Sequence, residues 1–305
     1  MEYTRILASV SLPILFVCLL GYLFQKYRNP DSKSFADVSL YILAPCLVIY
    51  ALTTTDHQLG TILEIVYFTG LHTVFCWGAS IVIGRLNRLA SPAQRALDLT
   101  SIFSNSNNYG LPLLLLAFGS AGFALGVTYV VGQIILVNTL GLYLASRSTF
   151  QPKQALRQIV KVPLIYAVLA GLILFVTNTR LPESLGHTLK LLGDGYAGIV
   201  LLILGFQLQK AKWSNMLRKE VIIATLLRTF LVPVLAIIVL KILSIQGTLA
   251  AVLLVQSGMP AAINCVVLAE KYGGDQEAVA LTVAASTLVS FLWLPFLIAI
   301  ANWWF

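Results

Sequence analysis

The chain has 305 residues, of which 58% are hydrophobic and only 10% are charged, with a mean hydropathy of +0.88. A soluble domain carries about 25% charged residues, so the composition excludes a soluble enzyme or binding module and marks an integral membrane protein. The formal net charge of +8 does not indicate nucleic acid, because the basic residues lie between apolar stretches, where they face anionic lipid and the cytoplasm.

A membrane-spanning helix needs about 20 mainly apolar residues, and ten such spans with short loops use up the chain: 5–25, 36–54, 61–84, 95–117, 122–146, 158–178, 190–209, 219–242, 248–269 and 277–303. The stretch from Ile6 to Phe24 is longer than a signal-peptide core, and Arg5 is balanced by Glu2, so it reads as the first span. Span one carries Pro13 and Gly21. Span three carries His72 near its middle, with Glu64 eight residues earlier near the same helical face. A histidine titrating near neutrality can carry a coupling proton, and the alternative is a hydrogen-bonded core residue. Asp98 and Asp194 fall near span ends and read as interfacial or capping residues. Span six carries Pro163 and Gly171. Arg228 lies inside span eight, where an arginine costs at least about 2.5–3.5 kcal/mol and needs a partner. It reads either as an attractive charge for an anionic substrate or as a structural pair or carbonyl cap within the bundle. Trp303 and Trp304 end span ten as interfacial anchors. Cys18, Cys46, Cys76 and Cys265 all sit in apolar spans without CxxC spacing, so neither a disulfide framework nor a zinc site is indicated.

Two spans are interrupted. The fourth contains Ser104-Asn105-Ser106-Asn107-Asn108-Tyr109-Gly110-Leu111-Pro112, and the ninth contains Gln256-Ser257-Gly258-Met259-Pro260-Ala261-Ala262-Ile263-Asn264. Unwound backbone is tolerated in a bilayer only where protein or a water-filled cavity satisfies it. Proline removes a donor and glycine loosens the backbone. The half-helices that result present free N–H groups and a positive dipole end, which suit a carboxylate. Asn105, Asn107, Asn108 and Asn264 add donors without a buried charge. The candidate substrate site is therefore Asn105, Asn107, Asn108, Gly110, Pro112, Gly258, Pro260 and Asn264, with His72 and Arg228 as candidate charge or coupling residues. No metal site and no cofactor are expected.

Of the twenty Lys and Arg residues, fifteen fall in one set of alternate loops, four in the other, and Arg228 within a span. The positive-inside rule then places both termini on the non-cytoplasmic side of the plasma (inner) membrane. The Pro13/Gly21 pair recurs as Pro163/Gly171 at an offset of 150, and Pro112 recurs as Pro260 at 148. Residues 1–147 and 155–305 therefore read as two copies of one five-span unit. Five is odd, so the copies insert in opposite senses, a common build of secondary transporters.

On the two interrupted motifs, the stretch Leu268-Ala269-Glu270-Lys271-Tyr272-Gly273, Leu204-Gly205-Phe206-Gln207-Leu208 and Arg228 followed by Pro233, the chain resembles the auxin efflux carrier family in its small bacterial form, over essentially its whole length. The resemblance implies an all-α fold of ten transmembrane helices in two inverted repeats, distantly related to bile-acid:sodium symporters. It implies a scaffold from about 5–54 and 158–209, and a mobile transport domain from about 61–146 and 219–303. The broken helices would cross at Pro112 and Pro260. In the plant auxin exporters an asparagine seven residues before the first crossing proline contacts the auxin carboxylate, and Asn105 has that spacing. A homodimer is likewise implied only by the resemblance. The plant members' long central loop is reduced here to about Ser146–Lys161, and the second motif departs from theirs, so auxin itself does not carry over.

The expected function is secondary transport of a small organic anion, driven without ATP because no G-x-x-x-x-G-K-[ST] motif is present. An inside-negative potential favours export of an anion by about 2.3 kcal/mol per charge per 100 mV. Proton- or sodium-coupled uptake, or a channel or sensor on the same fold, are the alternatives. No HExxH or GxSxG motif supports an intramembrane enzyme.

Overall fold

The computed structural model describes residues 2–54, 59–146, 152–177, 179, 181–211, 213–272 and 274–304. Arg147, Arg180 and Lys212 of the loop count, and Gly273 of the second family motif, lie outside those residues. In chain order the helices are α1 (Tyr3–Arg28), α2 (Ser32–Thr54) and α3 (Gly60–Leu86), then α4 (Ser91–Ile102) and α5 (Ser106–Ala145). After α6 (Pro152–Ile159) and α7 (Pro163–Val176) come α8 (Glu183–Lys210) and α9 (Lys219–Ile242). The chain closes with α10 (Gly247–Ser257), α11 (Asn264–Tyr272) and α12 (Gln276–Trp304). Among the described residues there is no strand, only an isolated antiparallel bridge.

Seven of these helices, α1, α2, α3, α5, α8, α9 and α12, are long and apolar enough to cross a membrane. Seven rather than ten has a physical reason. The second half of expected span four and span five meet inside the 40-residue stretch α5, as two helices joined at the non-helical Gly119 with no loop between them. The φ of 64° and ψ of −161° at Gly119 lie in a region open to glycine but costly for other residues. Expected spans six and nine appear as the shorter helices α7 and α10. Local signals account for several ends. Asn29 caps α1 in the left-handed conformation, its N–H bonded to Gln25 O. Asp31 then caps α2, accepting from Lys33 N at 3.1 Å and Ser34 N at 3.2 Å.

The closest packing is between α1 and α8. A Cβ placed on Gly21 would lie 2.3 Å from Leu202 O, and one on Gly205 would lie 2.0 Å from Cys18 O, so the two backbones touch. On α2, Leu47 Cα would be 2.9 Å from a Cβ on Gly193 of α8, and Leu52 Cβ 2.9 Å from one on Gly171 of α7. Lipid is as apolar as leucine, so membrane helices associate through such close van der Waals contact, which small residues permit. One core joins α3, α5, α9, α10 and α12, with Phe68, Leu114, Val239, Leu253 and Leu294, to Ile14 of α1 and Leu204 of α8, and a second packs α4 and α11 against α3, α9 and α12. Arg218 ties the loop before α9 to the start of α12, pairing with Glu220, with Asp275 at 2.5 Å and with Glu277 at 3.3 Å. At the far end of α9, Lys241 Nζ sits 4.4 Å over the Trp304 ring.

Candidate functional site

The interruptions after α4 and α10 lie side by side. Ser104 and Ala261 form the antiparallel bridge: Asn105 N–H donates to Pro260 O at 2.8 Å, and Ala262 N–H donates to Phe103 O at 2.9 Å. Ala261 N–H donates to Ser286 Oγ of α12 at 3.2 Å. Each unwound segment thus satisfies part of the other's backbone, as a water-poor interior requires.

Arg228 completes this arrangement. It sits in a wide π-type turn at Leu227–Leu231 of α9 and is 1% exposed. Its Nε donates to Met259 O at 2.8 Å, one Nη to Ser101 O at 2.8 Å and the other to Ser257 O at 2.6 Å. Ser101 and Ser257 belong to the last turns of α4 and α10, whose carbonyls have no intrahelical donor. Of the two roles open from sequence, the geometry shows the carbonyl cap. No ion pair among the described residues includes Arg228.

The donors that remain are at the start of α5. Asn105 O accepts from Tyr109 N and Gly110 N, which leaves the N–H groups of Ser106, Asn107 and Asn108 without an intrahelical acceptor. Tyr196 of α8 donates its hydroxyl to Asn107 O at 3.3 Å and to Asn107 Oδ1 at 3.2 Å. Asn107 Nδ2 in turn donates to Asn108 Oδ1 at 3.1 Å. With its oxygen occupied, half-buried Asn108 presents its NH2 group. Asn105 is buried, and its Nδ2 has no hydrogen-bond partner.

Other expected residues fall elsewhere. Pro112 is not at the interruption: it lies inside α5, directly after the wide π-type turn Ser106–Gly110, where its missing N–H frees a carbonyl of the preceding turn. The interruption is at Phe103–Asn105. Gly110 has ordinary helical φ and ψ, and its role is space, since a Cβ there would lie 2.2 Å from Gln256 Oε1. Gly258 closes α10 against Leu297. Asn264 is exposed and lines a separate cavity of about 240 Å³ with Asn138 and Lys271. Its helix also opens with Cys265 N and Val266 N already bonded, to Ala262 O and Ile263 O. His72 is buried, stacks on Phe68 at 5.3 Å and donates from Nε2 to Val232 O at 3.2 Å. Glu64 is exposed and does not pair with it.

Comparison with known proteins agrees with this architecture. The family model described as membrane transport protein matches the chain twice, over residues 7–153 and 148–298. The chain belongs to that family, the auxin efflux carrier-type membrane transporters. It is similar to an uncharacterized transporter of Methanocaldococcus jannaschii, 24% identical over 97% of each chain. It is also similar to an uncharacterized transporter of Methanothermobacter thermautotrophicus, 26% identical over 93% of this chain and 95% of the relative. This is a multi-pass membrane transporter.

Sequence reasoning missed three parts of the transporter's interior. Gln256 is fully buried against Gly110 and Gly126, and neither atom of its amide has a partner. A lone glutamine in the run Leu253-Leu254-Val255-Gln256 was the available signal. Tyr196 follows Gly193-Asp194-Gly195, whose aspartate is exposed and paired with Lys190 at 2.7 Å. Asp98 is not interfacial. It is buried and accepts from Ser80 Oγ and Gln94 Nε2, each at 2.7 Å, because α4 begins at Ser91 and carries it two turns inward.

Proposed function

We propose that this transporter is a secondary carrier of small organic carboxylates and binds them at the start of α5. The observation that carries the reading is the set of three N–H groups at Ser106–Asn108, flanked by the Asn108 NH2 and the partnerless Asn105 Nδ2, with no acidic side chain among these residues. A helix start with free donors favours an anion. Neutral amides add donors but no acceptor charge that would repel one.

The helices divide into two groups under this reading. The glycine-tight set α1, α2, α7 and α8 is the scaffold, and α3–α5 with α9–α12 is the moving unit, in an inverted-repeat arrangement of ten membrane passes. The Tyr196–Asn107 bond crosses from one group to the other beside the site. A cavity of about 280 Å³ between α8 and α11–α12, lined by Leu204, Leu208, Ile263, Val283 and Thr287 with Lys210 also on its wall, continues into a cleft of about 480 Å³ at Lys210 and Gln276. The basic-loop asymmetry puts that opening in the cytoplasm and both termini outside. Loading from the cytoplasm and an inside-negative potential favour export.

The test is carboxylate flux in proteoliposomes made with the purified protein. The wild type should transport at a saturable rate, and an Asn105→Ala, Asn108→Ala variant should fall to background. Equal flux from both rejects the site. Unsaturable current in place of saturable flux rejects a carrier.

A further inference from the structure

Carbonyl oxygens at unwound segments and half-helix C-termini are the groups that coordinate sodium in carriers with discontinuous helices. In this chain such oxygens converge from both interruptions. Ser101 O comes from α4, and Ser257 O and Met259 O come from α10 and the segment after it. All three are occupied by one guanidinium, at 2.8, 2.6 and 2.8 Å.

We propose that Arg228 is a resident cation standing where a diffusible coupling ion would otherwise bind, so that the transporter works without sodium. The part concerning flux rests on the carboxylate-carrier reading above; the part concerning the cation site does not. The charges support it. Each helix C-terminus carries about −0.5 of an elementary charge, so two converging ends sum to about −1, which one guanidinium offsets. A planar, five-donor fork also suits three oxygens from two segments better than an ammonium does. Because Arg228 is tethered through α9, this positive charge stays with the two interruptions whichever way the site faces. An anion entering at Asn105–Asn108 then meets helix starts whose opposing ends are already neutralised.

A purely mechanical clamp would share the hydrogen bonds but not the cation response, and that separates the two. Thermal unfolding of the purified wild type should be the same in sodium, potassium and choline chloride at matched ionic strength. Arg228→Ala should lower the midpoint by about 5 °C or more. Millimolar methylguanidinium chloride, or sodium relative to choline, should restore at least half of that loss. In proteoliposomes, wild-type flux should be unchanged when choline replaces sodium, while Arg228→Ala flux should fall about tenfold and recover in part with methylguanidinium. Wild-type stability or flux that requires sodium overturns the proposal. So does an Arg228→Ala deficit that no cation relieves, which would leave Arg228 a structural clamp. If Arg228→Ala does not fold, Arg228→Lys, which keeps the charge, takes its place. It should be partly active and sodium-blind, and sodium dependence in that variant overturns the proposal equally. If the wild type carries no carboxylate at all, the functional reading fails, and the thermal measurements still decide the role of Arg228.

Discussion

The α1–α8 seam and the paired interruptions show opposite ways of holding backbones together inside a membrane. At the seam, Gly21 and Gly205 bring two helices into backbone contact with nothing between them. At the interruptions the helices are incomplete, and their loose groups are satisfied by a neighbouring strand-like segment, by Ser286 and by Arg228. The first solution has no tolerance for volume and no polar content. The second has polar groups to spare, including Asn105 Nδ2 and the whole Gln256 amide. Added volume should therefore matter at the seam, and altered hydrogen bonding at the interruptions.

The sharpest way to break this contrast is Gly205→Val. Its Cβ would meet the backbone of Cys18 and Tyr22 rather than a flexible side-chain tip. It should cost about 3 kcal/mol or more, read as a large fall in the thermal midpoint or loss of folded protein. Gln256→Leu comes next and should act in the opposite direction. Replacing a buried, partnerless amide with an apolar group of similar size should raise stability by about 1–3 kcal/mol. Transport should fall if that amide serves the site, and a loss of stability would show that the glutamine is satisfied after all. Tyr196→Phe removes the hydroxyl that holds Asn107 and leaves the packing intact. About 1 kcal/mol of stability should go, and flux should drop severalfold with the larger change in KM, since the effect is on ligand placement. Asp31→Ala lies outside both regions and should have the smallest effect, with flux unchanged. The Ser34 hydroxyl, then the Lys33 and Ser34 N–H groups, hold the Asp31 carboxyl below its usual value. Its stabilising contribution is therefore present above about pH 4 and fades as pH falls through the lowered value. A pH titration of the midpoint in wild type and variant checks the sign.

Much of this was readable from residues. Asn29-Pro30-Asp31 announces the end of one helix and the cap of the next, and the two Gly/Pro motifs mark the interruptions. Gly21 and Gly171 stand at matching positions of the Pro/Gly repeat, and the structure has both at close contacts. Three things were hidden for definable reasons. Proline occurs both at a break and beside a π-type turn within a helix, so Pro112 could not locate the interruption to better than eight residues. Gly119 turns the chain in one residue, which leaves no polar loop to read. Arg228 binds main-chain carbonyls, and a carbonyl has no sequence signature, so its partners could be found only in three dimensions.

The ends of α9 also provide a depth gauge. Lys219 stands beside the charged Arg218 cluster, and Lys241 lies against Trp304, a lysine–tryptophan pair suited to the water–lipid boundary. The 24 residues of Lys219–Ile242 rise about 36 Å, slightly more than the ~30 Å of hydrocarbon in a bilayer. On this ruler Arg228, nine residues in, lies about 14 Å below one boundary. The fixed positive charge therefore sits close to half depth, where an ion is farthest from water on either side.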